Sequence, residues 1–269
     1  MKRNLLGAAL ALVLTFTAGL SLAGECTKLV ITGHPEYPPV AWQEGAKIVG
    51  AAPDLIAQIG KELGIKVESR YFGSWAEAQA AVKNGKADLL FGAYYNDERA
   101  AYLNYVRPAF MLDPVVIVTA KGKGFPFAKR EDLIGRQGVT GKGESFGSSF
   151  DAFMAEKLKV ERADGVYRCF QTLLDGKADY MVVGKYPGIA QAAKFGIQGE
   201  IEVLGAELDS FEMFVAFSKK SPCGEKLMQA FSERIKAAYA DGTVARLLDA
   251  AEARWEKKFV KGAKKAAKK

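Results

Sequence analysis

The chain has 269 residues, of which 49% are hydrophobic, 26% charged and 11% aromatic. These fractions belong to a globular protein and exclude a disordered chain, a collagen and a multi-span membrane protein. The formal charge of +7 sits at the two ends, on Lys2 and Arg3 and on Lys261, Lys264, Lys265, Lys268 and Lys269, so the body is neutral and no nucleic-acid partner is expected.

Lys2 and Arg3 precede the apolar run Leu5–Phe16, and small residues follow at Ser21 and Ala23. This pattern predicts a signal peptide over 1–23, cleaved after Ala23, and export to the periplasm. Glu25 stands immediately before Cys26, where lipid attachment needs a small residue. Cys26, Cys169 and Cys223 are an odd set, so at least one has no partner within the chain. Export permits a disulfide, and the spacing alone leaves its pairing open.

Strands and helices then alternate. Lys28–Thr32 reads as a strand and Asp54–Leu63 as a helix stopped by Gly64. Lys66–Tyr71 is a strand, Trp75–Asn84 a helix closed by Gly85, and Asp88–Gly92 and Val115–Ala120 are strands of buried type. This order predicts a parallel sheet covered by helices on both faces. The pattern restarts with a strand at Gln137–Thr140, helices at Ser149–Leu158 and Val166–Asp175, a strand at Tyr180–Val183 and a helix at Tyr186–Phe195. A strand at Phe214–Ser218 and amphipathic helices at Cys223–Ala240 and Thr243–Phe259 complete the fold, and 261–269 reads as a basic, flexible tail.

The tetrapeptide Gly85-Lys86-Ala87-Asp88 returns as Gly176-Lys177-Ala178-Asp179, each time after a helix and before an apolar strand. Glycine closing a helix is common, but the echo also fits two similar α/β lobes. Ligands of open α/β sheets sit beyond the carboxyl ends of the strands. Gly92–Arg99 and Gly184–Tyr186 are therefore expected to face one another across a cleft.

Catalytic signatures are weak. Gly143-Glu144-Ser145-Phe146-Gly147 matches a nucleophile elbow in letters, but the single histidine, His34, lies upstream of the serine instead of downstream. Phosphate-loop, dinucleotide and metal-ligand spacings are missing from the sequence, so no cofactor and no metal are expected. The chain reads as a binder, not an enzyme.

Several motifs together resemble the family-3 extracellular solute-binding proteins. They are His34-Pro35-Glu36-Tyr37-Pro38-Pro39, Gly50-x-x-x-Asp54-Leu55, the helix from Trp75 running to Asp88, Gly92-Ala93-Tyr94-Tyr95-Asn96-Asp97-Glu98-Arg99, Gly143-Glu144-Ser145 and Phe214–Lys219. Their order extends over about Leu29 to Phe259. The resemblance implies a two-lobed, hinge-linked, periplasmic-binding-protein-like type II α/β fold with mixed sheets flanked by helices. Lobe 1 would be 27–120 with 209–260, and lobe 2 would be 121–208. It also implies a Cys26–Cys223 disulfide, with Cys169 left as a buried free thiol.

The implied function is capture of a small polar solute, an amino acid or related carboxylate, by a monomer that delivers it to a membrane ABC permease. The alternatives are a ligand sensor without transport, or an enzyme on the same scaffold like the cyclohexadienyl dehydratases. By the resemblance, Arg99 clasps the ligand carboxylate with help from Gly143, Glu144 and Ser145. Tyr37 and Trp75 wall the ligand, Gly92 offers a carbonyl, Tyr94 narrows the pocket and His34 lines the rim. The family's lobe 2 aspartate, which holds an ammonium, falls on Gly184, with Lys185 next. Three readings follow: another acid (Glu144 or Glu212) replaces it, the ligand lacks the ammonium, or Lys185 holds an anion.

Overall fold

The computed structural model describes residues 26–260; the predicted signal peptide and basic tail lie outside them. The first part of the chain forms β1 (Lys28–Gly33), β2 (Glu36–Tyr37), β3 (Ala41–Glu44), β4 (Lys47–Val49), α1 (Ala51–Glu62), β5 (Lys66–Ser69) and α2 (Trp75–Lys83). It continues through β6 (Leu89–Tyr94), α3 (Asp97–Ala100), β7 (Leu103–Tyr105) and β8 (Met111–Ala120). The second part forms β9 (Gln137–Gly141), α4 (Ser148–Lys157), β10 (Lys159–Ala163), α5 (Val166–Leu174), β11 (Tyr180–Gly184) and α6 (Lys185–Phe195). The chain then returns along β12 (Ile201–Ser218) and ends in α7 (Gly224–Ala240) and α8 (Thr243–Trp255).

Nine strands share one sheet, in the order β10-β9-β11-β8-β12-β6-β1-β5, with β7 on β12. The outer strands of each half are parallel: β5, β1 and β6 at one end, β10, β9 and β11 at the other. The expectation of a wholly parallel sheet needs correction. β8 and β12 are antiparallel to each other, from Met111 opposite Met213 to Ala120 opposite Ile201. Each also runs antiparallel to its inner neighbour, β11 on β8 and β6 on β12. The returning strand has to cross from one half to the other, and this pair welds the halves together.

The repeated tetrapeptide does the same work twice. The backbone N–H of Val30 on β1 donates to the Asp88 carboxylate at 2.8 Å, and that of Gln137 on β9 donates to the Asp179 carboxylate at 2.7 Å. The N–H of Asp88 returns to the Val30 carbonyl, and that of Asp179 to the Gln137 carbonyl, both at 2.7 Å. Each Asp locks the strand that follows it beside the first strand of its own half.

Each half also has its own apolar packing. Val116, Val118, Val139, Cys169, Phe170, Leu173 and Met181 cluster in the second half. In the first, Phe217 on β12 meets Phe231 on α7 edge to face at 5.1 Å. Several elements exceed the sequence reading: the small β2–β3–β4 sheet, α3, β7, β10, the start of β8 and most of β12.

Cys26 and Cys223 form a disulfide with a Cα–Cα distance of 5.6 Å, inside the usual range. It ties the start of β1 to the first turn of α7 across a sequence separation of 197. Cys169 is a buried free thiol. A bridge that closes so long a loop restricts the unfolded chain strongly, so Cys223→Ala should cost about 3 kcal/mol in urea unfolding. A loss below about 0.5 kcal/mol would contradict that role.

Candidate functional site

A cavity of about 410 Å³ opens between the two halves of the sheet, at the end where β1, β9 and β11 finish. That volume suits a small polar solute. The first half contributes His34, Glu36, Tyr37, Trp75 and Glu77; the second contributes Gly141, Lys142, Glu144, Phe146, Asp164 and Gly184.

Local folding sets the first wall. Ser74 caps α2 with a reciprocal Ser74–Glu77 box, which fixes Trp75 in the first helical turn. The His34 ring lies 5.0 Å from Trp75 and 5.1 Å from Tyr37, centre to centre. The Glu36 backbone N–H donates to His34 Nδ1 at 3.0 Å, so the ring proton sits on Nε2. Nε2 then donates to the Glu144 carboxylate at 2.7 Å, across the cleft. A second crossing runs from the Val166 N–H, at the start of α5, to the Glu36 carboxylate at 3.1 Å. Gln191 Nε2 adds a third, to the Glu36 carbonyl at 3.0 Å.

Arg99, which the resemblance puts on the ligand carboxylate, is hydrogen-bonded within the protein. It is 3% exposed and does not line the cavity. Its Nε donates to Gln79 Oε1 at 2.9 Å, Nη1 to the Tyr94 carbonyl at 3.2 Å and Nη2 to the Gly143 carbonyl at 3.1 Å. Its guanidinium lies 5.3 Å over the Trp75 ring. Among the described residues no carboxylate comes within 4 Å of it. Gly143 itself sits against α2 at a φ of +81°, and a Cβ there would meet Ala76 and Gln79 at 3.2–3.3 Å. Ser145 accepts from Asn96 Nδ2 at 2.6 Å and donates to Asp151. The 141–145 loop is thus held on the first half by Arg99, Gln79 and Asn96, two of which the sequence reading did not single out.

Of the expected site residues, His34, Tyr37, Trp75, Glu144 and Gly184 line the cavity, whereas Gly92, Tyr94, Arg99, Gly143, Ser145 and Lys185 do not. Lys185 pairs instead with Glu207 at 3.1 Å, in solvent. Glu212 is exposed on β12 and stands away from the cavity.

The missing lobe 2 carboxylate has a steric explanation. A Cβ on Gly184 would lie 2.1 Å from the Tyr37 hydroxyl and 2.8 Å from Asp113 Oδ2. That space is taken by a buried cluster in which Tyr37 and Tyr94 donate to Asp113 Oδ2 at 2.7 and 2.8 Å. Asp113 Oδ1 is buried with no partner among the described residues. Burial pushes the Asp113 carboxyl up to about 6, against the two tyrosine hydrogen bonds. Burial and then the Asp113 charge push both tyrosine hydroxyls well above their usual value. Burial, followed by the Glu144 charge, pushes the Cys169 thiol up to about 12, so it is unreactive. Asp113 escaped the sequence reading; its signal was one acid inside the apolar stretch from Phe110 to Val118.

The sequence pattern of the bacterial extracellular solute-binding proteins, family 3, matches residues 29–251. The chain belongs to that family. Among solved structures, an amino acid ABC transporter substrate-binding protein from Streptococcus pneumoniae, bound to L-arginine, superposes with a TM-score of 0.70 at 20% identity. That match covers 85% of this chain and 96% of the other. A histidine kinase sensor domain with similarity to periplasmic binding proteins gives 0.69 at 22% identity, over 86% and 96%. An ancestral arginine-binding protein bound to glutamine gives 0.67 at 22%, over 82% and 96%. At these identities the likeness establishes the two-lobed periplasmic-binding-protein-like fold. Among the described residues of this family member, no helix is long and apolar enough to cross a membrane.

Two outcomes test this geometry. Arg99→Met removes three hydrogen bonds from a charged donor and should destabilise the fold by about 2–4 kcal/mol in urea unfolding. Arg99→Lys should not restore it, because an ammonium cannot span the same three acceptors; full rescue by Lys would contradict the bridging role. For Asp113, burial raises the folded carboxyl from its ordinary value of 3.8 to about 6. The native state therefore holds the extra proton between those values, and Asp113 costs stability as pH rises through them. Relative to Asp113→Asn, the parent should lose about 2 kcal/mol between pH 4 and pH 7. Parallel stability curves for the two proteins would refute the shift.

Proposed function

We propose that this chain is the exported capture component of an ABC importer, which binds a small polar solute of amino-acid size by closing two lobes over it. The observation that carries the reading is the cavity whose wall is shared by both halves of a family-3 solute-binding fold. A ligand that touches both walls favours the closed arrangement over an open one by differential contact. Trp75 Nε1, on a cavity-lining residue, is a buried donor with no partner among the described residues, which suits a polar solute. The relatives bound to L-arginine and glutamine lend the amino-acid size.

The lobes in this reading are 27–120 with 209–260, and 121–208, joined by β8 and β12. The packing of Val116 and Val118 with the second-half core favours moving each crossing point toward the middle of those strands. The protein acts as a periplasmic monomer after cleavage behind Ala23, and a membrane permease receives its ligand. It is a binder and not a catalyst: Asp113, the acid whose carboxyl burial pushes up, is fully buried and stands outside the cavity lining.

A panel of amino acids, small organic acids and amines, screened by thermal unfolding, tests the reading. A solute at about 100 times its Kd should add about 2.7 kcal/mol of stability, or about 5–10 °C in Tm for a chain of this size. Silence across the whole panel would overturn it.

A further inference from the structure

We propose that the cavity takes an organic cation, an amine or a guanidine, whose charged nitrogen is held by the Glu144 carboxylate beside the His34, Tyr37 and Trp75 rings, and that a ligand carboxylate is not required. The inference rests on the solute-capture reading and names the chemistry of the same site.

Arg99 supplies the first reason. The cation that would receive a ligand carboxylate is committed to three carbonyl oxygens and lies behind the Gly143 loop, outside the cavity wall. Freeing it would mean undocking the loop that shapes the cavity.

The charge of the wall supplies the second. Four carboxylates line the cavity (Glu36, Glu77, Glu144 and Asp164) against one ammonium, Lys142, which lies 3.6 Å from Asp164 and is largely in solvent. Glu36, Glu77 and Glu144 have no Lys or Arg ion-pair partner among the described residues, and Glu144 is the one that meets the His34 ring. Its carboxylate takes a hydrogen bond from a His34 ring whose other nitrogen already accepts a backbone N–H, so that donor is a neutral imidazole. Arg162 reaches the Glu144 backbone carbonyl at 2.7 Å, not its side chain. Among the described residues no Lys or Arg nitrogen lies within 4 Å of the Glu144 carboxylate.

The aromatic wall supplies the third. The His34 ring lies about 5 Å from both the Tyr37 and the Trp75 ring, and the faces of Tyr and Trp attract a cation. A charge-assisted hydrogen bond to Glu144 and contact with these rings are compatible with one bound nitrogen.

The test compares L-arginine with agmatine, which keeps the guanidinium and lacks the carboxylate, and putrescine with 1,4-butanediol, its neutral counterpart. L-Glutamate is the anionic control. Calorimetric titration of the full chain should give agmatine a Kd within about tenfold of that of L-arginine. Putrescine should bind measurably, and butanediol and L-glutamate should not. Glu144→Gln should weaken agmatine by about tenfold or more, about what loss of one charge-assisted bond produces. The unmodified protein alone suffices for the ligand comparisons if that variant fails to fold.

Three results would overturn the proposal: L-arginine binding about 100-fold or more tighter than agmatine, acids binding while amines do not, or unchanged agmatine affinity in a folded Glu144→Gln. Each of these leaves solute capture standing. Silence with these five compounds, but a response to another solute in the wider panel, overturns the cation class alone. Silence everywhere overturns both readings.

Discussion

A buried guanidinium with no carboxylate beside it must find oxygen atoms elsewhere, because leaving its donors unpaired away from water is costly. Arg99 finds them on three segments: the α2 side chain of Gln79, the end of β6 at Tyr94 and the loop after β9 at Gly143. The third contact joins the second half of the sheet to the first. It sets the loop that carries Glu144 against α2, and so fixes where Glu144 can meet His34. The cleft wall therefore depends on a cation that does not itself line the cavity.

The second constraint is the space in front of β11. Tyr37, Tyr94 and Asp113 fill it so completely that residue 184 has no room for a side chain. The acid nearest that space, Asp113 on β8, is buried under two hydroxyls and does not line the cavity. Glu144, in the same half as Gly184, is the carboxylate that crosses the cleft to His34.

The fold was largely legible in the sequence because its signals are local and repeated. Apolar runs, the Ser74–Glu77 box and glycines closing helices mark most elements, and the repeated Gly-Lys-Ala-Asp marks the two halves. What escaped were elements defined only by their partners. The β2 strand is two residues long and exists through its pairing with β3. The first part of β12 alternates exposed acids with half-buried residues and carries Gly205 and two register shifts, so it reads as a loop until β8 is placed beside it. The site was legible by residue type but not by direction. Arg99 and Glu144 were both recognisable as charged residues in the right motifs. Which of them faces the cavity is decided by the Gly143 loop, whose docking depends on Gln79 and Asn96, residues distant from it in sequence.

The most direct measurement is a crystal structure of the protein with a bound solute found by titration. The account predicts the solute between the two halves, in contact with Trp75 from one side and Glu144 from the other, with the Arg99 guanidinium still on the Gly143 carbonyl. A solute bound to one half only, or an Arg99 that has left Gly143 to grip the ligand, would contradict it.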